Sequence, residues 1–166
     1  MGQVTKKLET AANIAVILAA AVFIVVAVRH YLGGKPNSAS TIEVGEHLGL
    51  SNVNWASNNK NIVLALSTGC HFCTESAGFY RELTRQSKLW NVRTIAVLPQ
   101  DADAAGSYLK NLNISVDEVR QANLPDIGIH GTPTVLWVTD QGVVQSVWNG
   151  KLPDNGEKEI LAKIAH

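Results

Sequence analysis

The sequence predicts an α/β fold in which a central mixed sheet has helices on both faces, preceded by one N-terminal transmembrane helix. Three observations lead to this prediction. From Asn61 onward, short and nearly continuous apolar runs alternate with amphipathic segments of helical period. An uncharged apolar run occupies residues 11–28. The two cysteines of the chain stand three positions apart within STGCHFCTES, residues 67–76.

Charge and composition narrow the class of protein. The 166 residues include 14 basic and 14 acidic side chains, and 46% are hydrophobic. This balance has neither the basic excess of nucleic-acid-binding proteins nor the acidic excess typical of disordered chains. We therefore expect a globular protein that binds no nucleic acid.

The apolar run AANIAVILAAAVFIVVAV, residues 11–28, contains no charged side chain. A helix of this length rises about 27 Å, close to the roughly 30 Å of a bilayer's hydrocarbon core. We predict a transmembrane anchor over residues 11–30 after a short tail at residues 1–10. A cleaved signal peptide and a buried core helix are the alternatives, although the run exceeds the apolar length of about 7–15 residues found in signal peptides.

A linker and one domain are expected after the anchor. The segment GGKPNSAST, residues 33–41, has the composition of a flexible linker. We place the linker at residues 31–41 and a single domain at residues 42–166, a length usual for one domain. Lysine and arginine flank the apolar run almost equally on its two sides, so charge does not set the orientation of the anchor.

The elements in the first half of the domain follow from hydrophobic pattern. NIVLALS, residues 61–67, is predicted to be a strand buried on both faces. Apolar residues at helical spacing predict an amphipathic helix over residues 72–84. A second strand is predicted at residues 94–98, ended by Pro99, and a second helix at residues 102–112.

The C-terminal elements are predicted to be a hairpin and a last helix. Residues 134–139 and 143–149 are joined by DQG and have the pattern of an antiparallel hairpin. Asp154 and Glu157 have the spacing of a capping box and are predicted to begin a helix that continues through Ile164.

The cysteine pair lies at the N-terminal end of the helix predicted over residues 72–84. Unpaired backbone N–H groups at such an end stabilise a thiolate, which lowers the pKa of a cysteine from about 8.5 toward roughly 3.5–7.5. Cys70 is therefore the predicted nucleophile, and Cys73, three residues on, is the predicted resolving thiol. A structural disulfide is the alternative, but closing so short a loop adds little stability.

Two segments of the chain resemble the thioredoxin superfamily. The first is the strand, C-x-x-C pair and helix described above, and the second is GIHGTPTVL at residues 128–136, followed by DQG and by Gly150. The resemblance implies a thioredoxin-like domain with thiol–disulfide oxidoreductase activity toward protein thiols and disulfides. It also implies that the bond before Pro133 is cis, that Pro133 faces the dithiol, and that the Thr132 backbone contacts the substrate chain.

The predicted anchor, the linker and the segment at residues 115–124 are similar to the tethered, extracytoplasmic thioredoxin-like oxidoreductases of bacteria. This similarity implies a single-pass protein of the cell membrane with its globular domain in the periplasm, where disulfides persist. Because the chain has no third cysteine, we expect an external redox partner. No cofactor is expected, and the direction of electron flow stays open.

Several positions differ from the pattern of thioredoxin itself. Leu64 and Gly69 stand where thioredoxin has a buried acid and a tryptophan. Between the cysteines, His71 and Phe72 are predicted to contact substrate or to tune the redox potential. Glu75 is either a substitute proton acceptor for the resolving thiol or a partner of the helix dipole.

Two other functions stay open. The two cysteines together with His71, His130 or both could bind copper or zinc, in the manner of thioredoxin-fold copper carriers, although those carriers usually separate their cysteines by three residues. A peroxiredoxin-like peroxidase would need threonine three positions before the reactive cysteine, where Ser67 stands. Our preferred interpretation assigns no metal site.

Overall fold

A computed structural model describes residues 41–165 of the chain. The predicted tail and transmembrane anchor, and the predicted linker up to residue 40, lie outside the described residues. Within residues 41–165, no helix has the length and apolar character needed to cross a membrane.

Strands and α-helices alternate through the first part of the domain, and a hairpin and a helix complete it. In chain order the elements are β1 (Lys60–Ala65), α1 (His71–Glu75), α2 (Ala77–Leu89), β2 (Arg93–Leu98), α3 (Ala102–Asn111), β3 (Glu118–Gln121), β4 (Thr134–Thr139), β5 (Val144–Asn149) and α4 (Asp154–Ile164). One-turn 3-10 helices occur at Trp55–Ser57 and Leu124–Ile127.

The strands form one mixed sheet in the order β3-β2-β1-β4-β5. β1 pairs parallel with β2 and antiparallel with β4, so it lies at the centre of the sheet. Ala65 at the end of β1 is paired with Thr134, the first residue of β4. The segment that follows β1 and the segment that precedes β4 therefore meet at the same edge of the sheet, which is where the two predicted motifs come together.

Side-chain alternation divides the core into two layers. Ile62 and Leu64 of β1 face the buried residues of all four α-helices. Val63 and Ala65 face the opposite layer, which contains apolar residues from the irregular segment at residues 42–55 and from the 3-10 helix Leu124–Ile127. The prediction of helices on both faces is thus correct only in part. The α-helices of residues 41–165 lie on one face, whereas the other face is covered by irregular chain and by residues of the two one-turn 3-10 helices.

Two local predictions need correction. The helix predicted over residues 72–84 is divided at Ser76, whose φ of −83° and ψ of 4° separate α1 from α2. The predicted capping box at α4 does not form, because Pro153 holds the N-cap position and Asp154 is already the first helical residue. The side chain of Pro153 has no oxygen with which to accept a bond from the first turn.

Candidate active site

The loop after β1 brings Cys70 to the start of α1. Cys70 is the N-cap residue of α1 and has extended backbone geometry, with φ −86° and ψ 110°. Its N–H donates to the carbonyl of Ser67 at 3.1 Å. The side chain of Gln100, just after β2, accepts a bond from the Thr68 N–H at 3.4 Å and donates to Ser67 Oγ at 3.3 Å. Gln100 therefore connects this loop to the end of β2.

The two cysteines form a disulfide and differ in access to solvent. Their Cα atoms are 5.2 Å apart. The Cys73 side chain is fully buried among core residues, whereas Cys70 is half-buried. A sulfur atom of another molecule can therefore approach Cys70 more easily than Cys73.

The surroundings of the Cys70 sulfur suit both of its protonation states. The backbone N–H of Cys73 donates to Cys70 Sγ at 3.1 Å, and the Thr132 carbonyl oxygen lies 3.3 Å from the same sulfur. In the disulfide Cys70 has no proton to donate to that carbonyl. After reduction, a thiol can donate to the Thr132 oxygen, and a thiolate can accept from the Cys73 N–H.

The segment before β4 lies against the dithiol. The Thr132–Pro133 peptide bond is cis, the geometry that the family resemblance implied, and Pro133 is buried. Thr134 Oγ1 donates to the Gly131 carbonyl at 2.8 Å, and the Gly150 N–H donates to the Pro133 carbonyl at 2.7 Å. These bonds connect the segment to both strands of the hairpin and hold the Thr132 carbonyl beside Cys70.

A cavity of about 330 Å³ adjoins this segment. Its walls include Ser67, Pro99, Leu124, Pro125, His130 and Thr132. Because Ser67 and Thr132 both lie next to Cys70, the cavity opens beside the dithiol. Its lining is mainly apolar, which suits an apolar side chain of an extended polypeptide.

The two residues between the cysteines point to solvent. Phe72 is 54% exposed, and the His71 side chain is 79% exposed. His71 Nε2 lies 3.1 Å from one oxygen of Glu75, and Lys151 Nζ lies 3.0 Å from the other. The hydrogen bond from Lys151 is the main reason that the pKa of Glu75 lies below its ordinary value. Glu75 is thus engaged with two basic groups at the surface, which gives no support to its role as proton acceptor for buried Cys73.

The residues considered as metal ligands are not assembled into a site. His130 is exposed beside the cavity. Across residues 41–165, no three His, Cys, Asp or Glu side chains are grouped so that they could hold a metal ion. The dithiol, Thr132 and Pro133 are thus brought together, whereas His130 does not join the cysteines in a ligand set.

Comparison with known proteins gives a match at the level of structure. No protein-family model matches the sequence, and no curated protein matches it. Many solved structures do match.

One solved neighbour is a protein from Chlorobium tepidum described as a thiol:disulfide interchange protein DsbE, with 16% identity and a TM-score of 0.59 over 75% of this chain and 99% of that one. Another is the thioredoxin domain of a thiol-disulfide oxidoreductase from Bacteroides vulgatus, with 12% identity and a TM-score of 0.60 over 76% and 100% of the two chains. A third is a secreted disulfide oxidoreductase from Mycobacterium tuberculosis, with 13% identity and a TM-score of 0.52 over 64% and 81%. The chain therefore has the thioredoxin fold.

Proposed function

We propose that this chain is a thiol–disulfide oxidoreductase that exchanges disulfides with protein partners through Cys70 and Cys73. The observation that carries the proposal is the setting of the Cys70 sulfur. It is half-buried, accepts the Cys73 N–H at 3.1 Å and lies 3.3 Å from the Thr132 carbonyl. Solved proteins with the same fold are described as having this activity, which supports the proposal.

The exchange follows two balanced steps when the protein acts as a reductant. The Cys70 thiolate attacks a substrate disulfide, so that a bond forms between Cys70 Sγ and one substrate sulfur while the other leaves as a thiolate and takes up a proton. The Cys73 thiol then loses its proton and attacks Cys70 Sγ. The second substrate sulfur is released, and the Cys70–Cys73 disulfide remains. Two electrons pass to the substrate, and the reverse sequence oxidises a substrate dithiol.

Protein partners are favoured by the surfaces on either side of Cys70. On one side, the Thr132 backbone and the cavity at Pro99, Leu124 and Pro125 can accept an extended chain and one of its apolar side chains. On the other side, the exposed Phe72 ring offers apolar contact. We assign substrate contact to Phe72, Thr132 and Pro133, and tuning of the redox potential to His71, which lies directly after Cys70.

We also propose how the chain is placed in the cell. Residues 1–10 form a tail, residues 11–30 a single transmembrane anchor and residues 31–41 a linker, with the domain at residues 42–166 in the periplasm. The apolar run supports the anchor, and the persistence of disulfides outside the cytoplasm supports the orientation. An external redox partner then restores the working form of the dithiol after each turnover.

Reduction of insulin disulfides by the purified full chain, with dithiothreitol as electron source, tests the proposed activity. We expect the chain to accelerate reduction and Cys70→Ser to abolish the acceleration. Titrating the dithiol against glutathione measures its reduction potential and so determines the direction of electron flow. A strongly reducing potential favours a reductase, and a strongly oxidising potential favours an oxidase. An inactive parent chain would refute the proposal.

The alternative is that the chain is a copper- or zinc-binding protein rather than an enzyme. The purified full chain can also be used to test this alternative. Exchange by the proposed mechanism should proceed equally with and without a chelator. Stoichiometric metal that survives dialysis and is lost in His130→Ala would favour a metal carrier. Consumption of peroxide by the reduced chain, at a rate faster than insulin reduction, would favour the peroxidase alternative.

A further inference from the structure

A buried hydroxyl lies at the start of β4, directly after Pro133. Thr134 is 2% exposed, so its hydroxyl has almost no access to water. Burying a hydroxyl costs free energy unless it is hydrogen-bonded, whereas valine has nearly the same shape and no polar atom. Two oxygen atoms satisfy the hydroxyl, namely the Gly131 carbonyl at 2.8 Å and Asn149 Oδ1 at 3.0 Å from Thr134 Oγ1. Neither contact takes part in the exchange chemistry at Cys70.

The bond to Gly131 fixes the direction of a peptide group beside the dithiol. The Gly131 carbonyl and the Thr132 N–H belong to one planar peptide unit, and in the trans form they point in opposite directions. Thr134 Oγ1 therefore sets the direction of the Thr132 N–H when it holds the Gly131 carbonyl. Among residues 41–165 this N–H has no hydrogen-bond acceptor, and the Thr132 carbonyl lies 3.3 Å from Cys70 Sγ. A donor free to bind a substrate backbone is thus held next to the nucleophile.

Asn149 connects this arrangement to the surface of β5. Thr134 and Asn149 are directly opposite each other in the antiparallel pair of β4 and β5, so their side chains lie on one face of the sheet. Asn149 is exposed. The Thr134 hydroxyl has a single proton, so Asn149 Oδ1 and the Gly131 carbonyl compete for it. The acceptor strength of the side chain at position 149 therefore influences how firmly the Gly131 carbonyl is held.

We propose that Thr134 is a positioning residue that gives the chain its selectivity for polypeptide disulfides over small disulfides, and that Asn149 modulates this selectivity through the Thr134 proton. The inference rests on the proposed function, in which the Thr132 backbone contacts an extended substrate chain. A polypeptide that binds in this way needs the Thr132 N–H in a fixed direction. A small disulfide has no backbone to bind and reaches Cys70 without that contact.

The chemical step is the same for both kinds of substrate and does not involve Thr134. Cys70 Sγ forms a bond with one substrate sulfur while the other sulfur leaves as a thiolate and takes up a proton. Thr134 keeps its own proton throughout. Loss of the Thr134 hydroxyl should therefore weaken binding of a polypeptide, which raises KM and leaves kcat nearly unchanged.

The first test compares Thr134→Val with the parent full chain on two substrates, insulin and the small neutral disulfide dithiodipyridine. In Thr134→Val we expect kcat/KM for insulin to fall about threefold to tenfold through KM, as for the loss of one hydrogen bond. The rate constant of the reduced chain with dithiodipyridine should stay at the parent value. Thr134→Ser retains the hydroxyl and should retain the parent KM for insulin.

The second test changes the competing acceptor and leaves Thr134 in place. The carboxylate of Asn149→Asp accepts a proton more strongly than an amide oxygen, so it should draw the Thr134 hydroxyl away from Gly131 and raise the KM for insulin. Asn149→Ala removes the competing oxygen and should keep the parent KM. Selectivity is measured as the ratio of the insulin and dithiodipyridine rate constants, so an effect of the new charge on the Cys70 thiolate cancels. Because Asn149 is exposed, this pair of variants tests the proposal even if Thr134→Val does not fold.

Thr139→Val is the matched control. Thr139 is the last residue of β4, at the opposite edge of the sheet from Thr134. Its Oγ1 accepts the N–H groups of Gln141 and Val143 at 3.2 and 3.1 Å. Both threonine-to-valine changes remove side-chain hydrogen bonds from one strand, so both should lower the free energy of unfolding. Only Thr134→Val should change the selectivity.

Three results would overturn the proposal. They are an equal loss of activity on both substrates or no loss on either in Thr134→Val, the same loss in Thr134→Ser, and equal KM values for insulin in Asn149→Asp and Asn149→Ala. A loss of selectivity in Thr139→Val would also contradict it. Each of these results is obtained with a parent chain that reduces insulin, whereas a parent chain that does not would reject the proposed function itself.

Discussion

Cys70 and Cys73 have the same side chain, and their different surroundings distinguish them. Cys70 is half-buried between a backbone N–H and the Thr132 carbonyl, whereas Cys73 is fully buried. The spacing of the pair and its position at a helix start could be predicted from the sequence. The Gln100 contacts could not, because they depend on which loops the tertiary fold brings together.

Gln100 is expected to position the loop that carries the nucleophile. Replacing it with alanine removes the bonds to Thr68 and Ser67, so Cys70 should be held less precisely. We expect Gln100→Ala to lower kcat/KM for insulin reduction by about threefold to tenfold and the free energy of unfolding by about 1 kcal/mol or less. Gln121→Ala is the control, because Gln121 bonds instead to the Pro99 carbonyl. Equal effects of the two changes on activity would contradict the assignment.

The Glu75 carboxylate provides a prediction with a defined pH dependence. Its folded-state pKa lies below the ordinary value of 4.5, chiefly because of the bond from Lys151. A depressed carboxylate pKa stabilises the fold above that ordinary value, and the contribution is lost as pH falls through the folded pKa. Lys151→Met should raise the pKa of Glu75. The free energy of unfolding of this variant should then decrease less as the pH is lowered.

Carboxyl chemical shifts across an acid titration measure that change directly. Because Glu75 is exposed, the accompanying change in stability should be small. Lys158→Met, which alters an exposed lysine of α4 that makes no ion pair within residues 41–165, is the control. A Glu75 titration unchanged by Lys151→Met would show that Lys151 does not hold the carboxylate in solution.

At the scale of elements, hydrophobic pattern predicted the elements that have buried faces. β1, β2 and β4 are apolar runs, and their predicted positions agree with the structure within two residues. β3, with the sequence EVRQ, has no buried residue and was not predicted. It is held by pairing with β2, by the ion pair of Glu118 with Arg93, and by Asp117, which accepts bonds from Thr94 N–H and Oγ1 at 2.7 Å each.

The turn of the β4–β5 hairpin gives a prediction about stability. Gly142 has a φ of +79°, and a Cβ at this position would lie 2.8 Å from ring atoms of Trp55. Gly142→Ala should therefore lower the free energy of unfolding by about 2 kcal/mol, since both the backbone and the contact become strained. Denaturant unfolding of the full chain measures the change.

Gly106→Ala is the control for that measurement and should have the opposite sign. Gly106 lies inside α3, and a Cβ there would meet no atom within 4 Å. Alanine at an open helical position stabilises by about 0.5–1 kcal/mol relative to glycine. A loss of stability in Gly106→Ala, or none in Gly142→Ala, would contradict this account of the hairpin turn.

At the scale of the whole molecule, the fold could be predicted because two distant motifs belong to one known architecture. Residues 67–76 and 128–136 meet because β1 and β4 are adjacent and antiparallel. The segment that packs on the second face of the sheet, opposite the α-helices, could not be predicted as well. It consists largely of irregular chain between residues 42 and 55, which has no periodic pattern and is held by contacts such as the bridge between His47 and Val143.

The central claim is that Cys70 attacks and Cys73 resolves, and trapping of mixed disulfides in cells tests it most directly. Full chains carrying Cys73→Ser or Cys70→Ser are expressed, thiols are quenched with acid, and captured proteins are identified by mass spectrometry under non-reducing conditions. We expect Cys73→Ser to accumulate partner proteins bonded to Cys70, because attack remains possible and resolution does not. Cys70→Ser should capture few, because Cys73 is fully buried. Capture mainly through Cys73, or by neither variant, would contradict the account.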